Sequence, residues 1–153
     1  MKKVRVKTSK AEVYTIENFL SDTECDLVIA QIEANNSRSS VSGGEFKSDA
    51  GISDFRTSST SALKHQTFPL IEAIDKKMSR AINIPLELGE VTQGQKYEVG
   101  QQFKDHTDYF GTSSMKGHGE KWGNRSWTFM IYLNEDCDGG ETDFKRLGIK
   151  FKP

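Results

Sequence analysis

The stretch that decides the fold runs from Tyr97 to Asp108 and reads Tyr-Glu-Val-Gly-Gln-Gln-Phe-Lys-Asp-His-Thr-Asp. It ends with an imidazole, His106, and a carboxylate, Asp108, which are separated by a single residue. On a β-strand, residues i and i+2 project from the same face. We therefore expect both side chains to meet on one face of a strand, where they can contact one metal ion.

One histidine and one aspartate, joined by a second histidine from elsewhere, form the facial site of non-haem Fe(II) oxygenases, which leaves coordination positions open. A bare His-x-Asp also fits a polar strand end, so the flanking sequence has to decide. Before the stretch comes Glu90-Val-Thr-Gln-Gly-Gln-Lys-Tyr97. After it come Arg125-Ser-Trp-Thr-Phe-Met-Ile-Tyr-Leu-Asn134 and Gly139-Gly-Glu-Thr-Asp-Phe144.

In this order, these segments resemble the prolyl 4-hydroxylase family of Fe(II)/2-oxoglutarate dioxygenases. The resemblance extends from about Phe19 to Pro153 and is most specific between Tyr97 and Phe144. It implies an α+β fold built on a double-stranded β-helix, a jelly-roll or cupin-like barrel, with N-terminal helices packed on one sheet. Two predicted helices followed by many short strands fit the same class.

The resemblance also implies roles for individual residues. His106 and Asp108 are the expected catalytic residues and two of the three iron ligands. Tyr97 and Thr142 match positions that contact 2-oxoglutarate. The positions that line the peptide groove correspond to Arg56, Ser58, Glu90 and Arg125. Phe103 stands where the family often has tyrosine.

The implied reaction is hydroxylation of a peptidyl proline, coupled to decarboxylation of 2-oxoglutarate to succinate. It needs Fe(II), 2-oxoglutarate and O2, with ascorbate as a further candidate cofactor. The expected substrate is a proline-containing peptide or protein, or a free amino acid. The alternative is a non-catalytic or truncated binding module on the same β-helix scaffold.

The family's distal histidine and its 2-oxoglutarate-binding basic residue follow a Pro-x-x-Gly turn, which would begin where this chain reaches Lys152-Pro153. We therefore expect the barrel of this chain to be incomplete at its C-terminal side. Three explanations stay open: an amino-terminal piece of a longer enzyme, a protein completed by a partner, or a remnant that does not catalyse.

The composition limits the classes of protein to which this chain can belong. A chain of 153 residues with 35% hydrophobic residues is the size of one domain with a sizeable core. We expect a helical support region over 1–85 and the first part of the barrel over 86–153. A net charge of -1 gives no general reason to expect nucleic acid or membrane binding. Two cysteines make no disulfide framework, so we expect a cytoplasmic location.

Local patterns predict several elements. Ser21-Asp-Thr-Glu24 is a capping box that begins a helix over about Asp22–Asn35. A second helix begins near Pro69 and ends at Asn83-Ile-Pro85. The apolar, β-prone run Trp127–Leu133 predicts a buried strand, and Thr142 begins another.

The remaining stretches are predicted as loops. Asn35–Gly51 and Thr112–Gly123 are rich in small polar residues and glycine. We expect His65 to face solvent. His118 is not expected to be a ligand, because the family's second metal histidine comes from a later strand.

Overall fold

The computed structural model of the chain describes residues 2–40, 54–111, 120 and 123–153. These residues form an α+β protein, as predicted, with short strands and two helices of 14 residues each. The chain divides into two compact units, Met1–Ala30 with Ile131–Pro153, and Gln31–Met130. The predicted division into regions 1–85 and 86–153 stays a prediction. His118 and most of both predicted loops lie outside the described residues.

The first unit contains two antiparallel strand pairs, β1 (Lys3–Arg5) with β2 (Tyr14–Ile16), and β6 (Thr142–Phe144) with β7 (Ile149–Phe151). The strand predicted to begin at Thr142 is therefore confirmed. Phe19 and Val28 are the buried apolar side chains described in this unit.

Helix α1 (Asp22–Asn35) begins with the predicted capping box. The Ser21 backbone N–H donates to Glu24 Oε2 at 2.8 Å, and the Glu24 backbone N–H donates to Ser21 Oγ at 3.3 Å. These two bonds satisfy backbone donors that have no partner inside the helix. The predicted start and end of this helix are confirmed.

The second unit is built on a three-stranded antiparallel sheet in the order β3 (Ser37–Arg38), β4 (Ser59–Leu63) and β5 (Thr92–Lys96). Strand β3 lies inside the stretch that was predicted as a loop from Asn35 to Gly51, so that part of the prediction is wrong. Helix α2 (Pro69–Ile82) and a short 3-10 helix (Leu86–Leu88) connect β4 to β5.

Helix α2 begins at Pro69, whose missing N–H costs nothing in the first turn, and ends at Asn83 in the left-handed conformation (φ 55°). Ile71 and Ile74 are buried and form the apolar face of this helix. The same face buries a carboxylate, Asp75, which the apolar pattern did not predict.

Asp75 is satisfied by two side chains. Thr92 donates its hydroxyl to Asp75 Oδ1 at 2.6 Å, and His65 Nε2 contacts Asp75 Oδ2. His65, which was expected to face solvent, keeps 38% of its side chain exposed while its ring pairs with this buried carboxylate. A buried carboxylate without such partners would carry a large desolvation cost.

One prediction about strands is not met. Residues 123–134 form neither a helix nor a strand, so the strand predicted over Trp127–Leu133 is wrong. Trp127 and Met130 are 43% and 51% exposed. The described strands form small separate sheets, and the jelly-roll barrel stays a prediction.

Neither described helix has the length and apolar character that a membrane-crossing helix requires.

The backbone of Gly94 lies directly beneath the Ile32 side chain. A Cβ atom at Gly94 would lie 2.5 Å from Ile32 Cδ1 and closer still to Cγ1. Ile32 is only 5% exposed and has little room to move aside. We therefore expect Gly94→Ala to lower the free energy of unfolding by about 1–3 kcal/mol, the usual cost of overpacking a core.

Urea unfolding followed by circular dichroism measures this loss. Gly111→Ala is the matched control, because among the described residues a Cβ there meets nothing within 4 Å. It should change stability by less than about 0.5 kcal/mol. Equal unfolding midpoints for Gly94→Ala and the unsubstituted protein would show that the packing of Ile32 on Gly94 is wrong.

Candidate metal centre

The segment that carries the candidate site is anchored by a short antiparallel pairing. Thr57 N donates to Gln102 O at 2.8 Å, and Lys104 N donates to Phe55 O at 2.9 Å. Between these bonds, Arg56 forms a β-bridge with Phe103. Residues 104–111 then leave regular structure. The expectation that the His-x-Asp pair lies on a strand is therefore wrong.

His106 and Asp108 nevertheless face each other. His106 Nε2 lies 3.4 Å from Asp108 Oδ1. His106 Nδ1 lies 2.6 Å from the Lys104 carbonyl oxygen. Because a carbonyl can only accept, Nδ1 carries the hydrogen, and in the neutral ring the lone pair is on Nε2. The nitrogen that can bind a metal therefore points at the carboxylate.

Aromatic rings hold the imidazole of His106 in plane. The Phe103 ring stacks on it, with ring centroids 3.5 Å apart and an angle of 17° between the planes. Phe55 approaches the same imidazole edge-on at 6.5 Å. The Arg56 guanidinium lies 4.8 Å from the centroid of the Phe103 ring. The ring orientation is thus fixed by packing as well as by the Lys104 carbonyl.

Asp108 is held at its side chain and at its backbone. Thr128 donates its hydroxyl to Asp108 Oδ2, and Arg125 donates from Nη1 to the Asp108 carbonyl oxygen at 3.3 Å. Arg125 is itself fixed by two parallel bonds to Glu90, with Nη2 at 2.6 Å from Oε2. Its guanidinium also lies 4.5 Å from the centroid of the Phe110 ring.

The charge of Arg125 is supported by these contacts. The hydrogen bonds that Arg125 donates to Glu90 raise the pKa of Arg125 above its ordinary value, against the opposing effect of burial. Glu90 and Arg125 were both predicted to line a peptide groove. In this structure they pair with each other, and Arg125 also contacts the backbone of Asp108.

Arg56 and Ser58, the other two predicted groove residues, belong to a polar cluster. Arg56 donates to Thr60 Oγ1 at 3.1 Å and to the Ser40 carbonyl at 3.3 Å, and burial lowers the pKa of its guanidinium. Ser58 is fully buried, and its hydroxyl lies 2.8 Å from that of Ser39. Ser58 therefore offers no surface to a substrate in this arrangement and instead supports the cluster around Arg56.

The two residues predicted to contact 2-oxoglutarate lie in different units. Tyr97 directly follows β5, is 45% exposed and donates its hydroxyl to Gln95 Oε1 at 3.0 Å. Thr142 begins β6 in the first unit, where its Oγ1 is hydrogen-bonded to the Tyr132 hydroxyl at 2.7 Å. The Tyr132 hydroxyl also donates to the Phe151 carbonyl and so connects β6 to β7.

The geometry of His106 and Asp108 fits a metal ion. Metal–nitrogen and metal–oxygen bonds of about 2.1 Å at right angles would put the two donor atoms about 3 Å apart. The observed 3.4 Å is close to that value and needs only a small side-chain rotation. The Nδ1–H bond to a backbone carbonyl is the arrangement that metal-bound histidines usually show. Among the described residues, no group of three His, Cys, Asp or Glu side chains is placed to hold a metal.

Sequence reasoning missed two supporting residues of this site. Thr128 was assigned to a buried strand, and Phe103 was noted only as a replacement for tyrosine. A hydroxyl inside the apolar run Trp127–Leu133 is the one sequence signal that pointed to Thr128.

Comparison with known proteins shows which family this segment resembles. Residues 92–153 match the family model of the 2OG-Fe(II) oxygenase superfamily. This segment includes both His106 and Asp108. Residues 92–153 are therefore similar in sequence to the 2OG-Fe(II) oxygenase superfamily.

Curated relatives extend the similarity to most of the chain. Prolyl 4-hydroxylase 2 of Arabidopsis thaliana is 35% identical over 142 residues, which cover 93% of this chain and 46% of that protein. Prolyl 4-hydroxylase 1 of the same plant is 35% identical over 150 residues, 95% of this chain and 51% of the relative. The chain thus spans about half the length of these relatives. The resemblance inferred from the motifs is confirmed.

The Phe103–His106 stack predicts a spectroscopic signature in the metal-free protein. Protons stacked over an aromatic face are shielded by its ring current, so Phe103→Ala should move the His106 ring-proton signals downfield. One-dimensional and heteronuclear NMR measures the shift. The chain has only three histidines, so His106→Gln assigns the signals.

Phe144→Ala is the matched control for this experiment. Phe144 packs edge-on against Phe151, with centroids 6.0 Å apart, and both belong to the first unit. Its substitution should leave the His106 signals in place. Unchanged His106 signals in Phe103→Ala would mean that the stack does not form in solution.

Proposed function

We propose that this protein is an Fe(II)/2-oxoglutarate-dependent dioxygenase that hydroxylates a peptidyl proline and releases succinate. The observation that carries the proposal is the His106–Asp108 pair, whose metal-binding atoms face each other at 3.4 Å inside a 2OG-Fe(II) oxygenase sequence. The printed names of the curated relatives, prolyl 4-hydroxylases, support the choice of proline as the substrate residue.

In this proposal, His106 Nε2 and Asp108 Oδ1 hold the metal. When bound, iron with 2-oxoglutarate and O2 supplies the oxidation of a substrate C–H bond. The protein's part is to keep the two donors oriented. The Lys104 carbonyl fixes which nitrogen of His106 is free, and the side chains of His106 and Asp108, 32% and 46% exposed, leave the pair open to incoming ligands.

Tyr97 and Thr142 are proposed contacts of 2-oxoglutarate. The Tyr97 hydroxyl now donates to Gln95, an exposed amide that a carboxylate oxygen could replace as the acceptor. Charge-assisted hydrogen bonds to a carboxylate are stronger than those to a neutral amide, so the exchange is favourable.

We further propose that ascorbate serves as an additional cofactor and that a free amino acid is the alternative substrate. Residues 86–153 are proposed to form the first part of a double-stranded β-helix.

The proposal keeps three residues in the lining of the peptide groove: Arg56, Glu90 and Arg125. Ser58 supports this lining from a buried position. Arg125 and Glu90 are half exposed, and their charges can orient polar peptide groups next to the metal pair. A cytoplasmic location is part of the same proposal and is supported by the free thiols of Cys25 and Cys137, which suit a reducing compartment.

The reaction itself tests the proposal. A version of the protein completed with the segment that carries the family's distal histidine should release succinate when it is supplied with Fe(II), 2-oxoglutarate and a proline-rich peptide, and mass spectrometry measures that release. His106→Ala removes a metal ligand and should reduce that rate by more than about 100-fold, beyond the usual cost of losing an outer partner of a ligand. Peptide hydroxylation should fall in parallel.

His65→Gln is the matched control, because it changes another histidine and keeps a hydrogen-bonding side chain beside Asp75. It should leave succinate release within a few-fold of the unsubstituted rate. Succinate release that survives His106→Ala would contradict the proposal. Peptide binding that ignores both chelators and Asp108→Ala would favour the binding-module alternative.

A further inference from the structure

The two carboxylate oxygens of Asp108 have different environments. Oδ2 accepts the hydroxyl hydrogen of Thr128, while Oδ1 faces His106 Nε2 at 3.4 Å. One oxygen of the carboxylate is therefore already occupied by a protein donor, while the other faces the open side of the His106–Asp108 pair.

From this division we propose that Thr128 is a positioning residue that reserves Oδ2 of Asp108 and presents Oδ1 alone to the metal. The inference rests on the proposed function, since it assumes that the pair binds a metal. A facial site needs several open positions for its other ligands, and a carboxylate that bound through both oxygens would occupy one of them. A hydroxyl bonded to one oxygen disfavours that second bond.

The placement of Thr128 suits this task. Threonine is β-branched, so its side chain has few rotamers and its hydroxyl direction is well defined. Arg125, three residues earlier in the same segment, donates to the Asp108 carbonyl at 3.3 Å. One short segment thus contacts both the backbone and the side chain of Asp108. The bidentate bond of Arg125 to Glu90 holds that segment in turn.

The chain offers close substitutions for a test. Thr128→Val keeps the shape of the side chain and removes the hydroxyl, while Thr128→Ser restores the hydroxyl. Thr67→Val is the matched control, because the Thr67 hydroxyl donates to the Lys64 carbonyl at 3.0 Å and not to Asp108. Thermal unfolding of each metal-free variant shows whether the fold is retained.

The probe is Mn(II), titrated into the protein by isothermal calorimetry under reducing conditions. We expect Thr128→Val to weaken Mn(II) binding by about 10- to 100-fold, the usual effect of removing an outer partner of a metal ligand. Thr128→Ser and Thr67→Val should bind within a few-fold of the unsubstituted protein. The metal-free variants should all unfold at similar temperatures, which a purely structural role of Thr128 would not allow.

The possible outcomes distinguish a failure of this inference from a failure of the proposed function. If Asp108→Ala abolishes Mn(II) binding while Thr128→Val binds as tightly as the unsubstituted protein, the role of Thr128 is wrong and the metal site stands. If Thr128→Ser is as weak as Thr128→Val, the hydroxyl is not the cause, and the inference also fails. If the unsubstituted protein binds no Mn(II), both the metal site and the inference are overturned.

Discussion

The contact on which the site depends joins His106 Nε2 to Asp108 Oδ1 across 3.4 Å. With its hydrogen on Nδ1, a neutral His106 presents a lone pair to a carboxylate oxygen, and two acceptors repel each other. A metal ion bound between them would turn this repulsion into attraction. The pair is therefore preorganised for a cation by contacts that do not involve the cation, those of the Lys104 carbonyl and the Thr128 hydroxyl.

In the second unit, pairing between distant parts of the chain holds the residues that support this contact. The bonds between residues 55–57 and 102–104 hold the segment that carries Phe103. Arg125, which is paired with Glu90, contacts the backbone of Asp108 from another segment. The support from Phe103 does not depend on charge. The stack on Phe103 works by dispersion and ring geometry, so the imidazole would keep its orientation when salt screens the charges.

The sequence alone predicted the features that depend on residues close together along the chain. The capping box fixed the start of the helix at Asp22, and Pro69 and Asn83 marked the ends of the second helix, because these signals act within one turn. The His-x-Asp motif likewise identified the pair itself. The strand predicted over Trp127–Leu133 failed because a strand needs a partner, and β-propensity says nothing about whether one is available.

The contacts that hold His106 and Asp108 in place could not be predicted from the sequence, because they join residues that are far apart in the chain. Nothing in the sequence tells that Glu90 pairs with Arg125, 35 residues away, or that Thr128 reaches Asp108 from 20 residues away. Likewise, the sequence did not predict that Asp75 is buried, or that His65 and Thr92 are the partners that make its burial tolerable.

The measurement that tests the central claim most directly is the anomalous diffraction of crystals of this protein soaked with Mn(II). The account predicts a single strong peak in contact with both His106 Nε2 and Asp108 Oδ1, at about 2.0–2.2 Å from each. A peak on other residues, or no peak although both side chains are well ordered and facing, would contradict it.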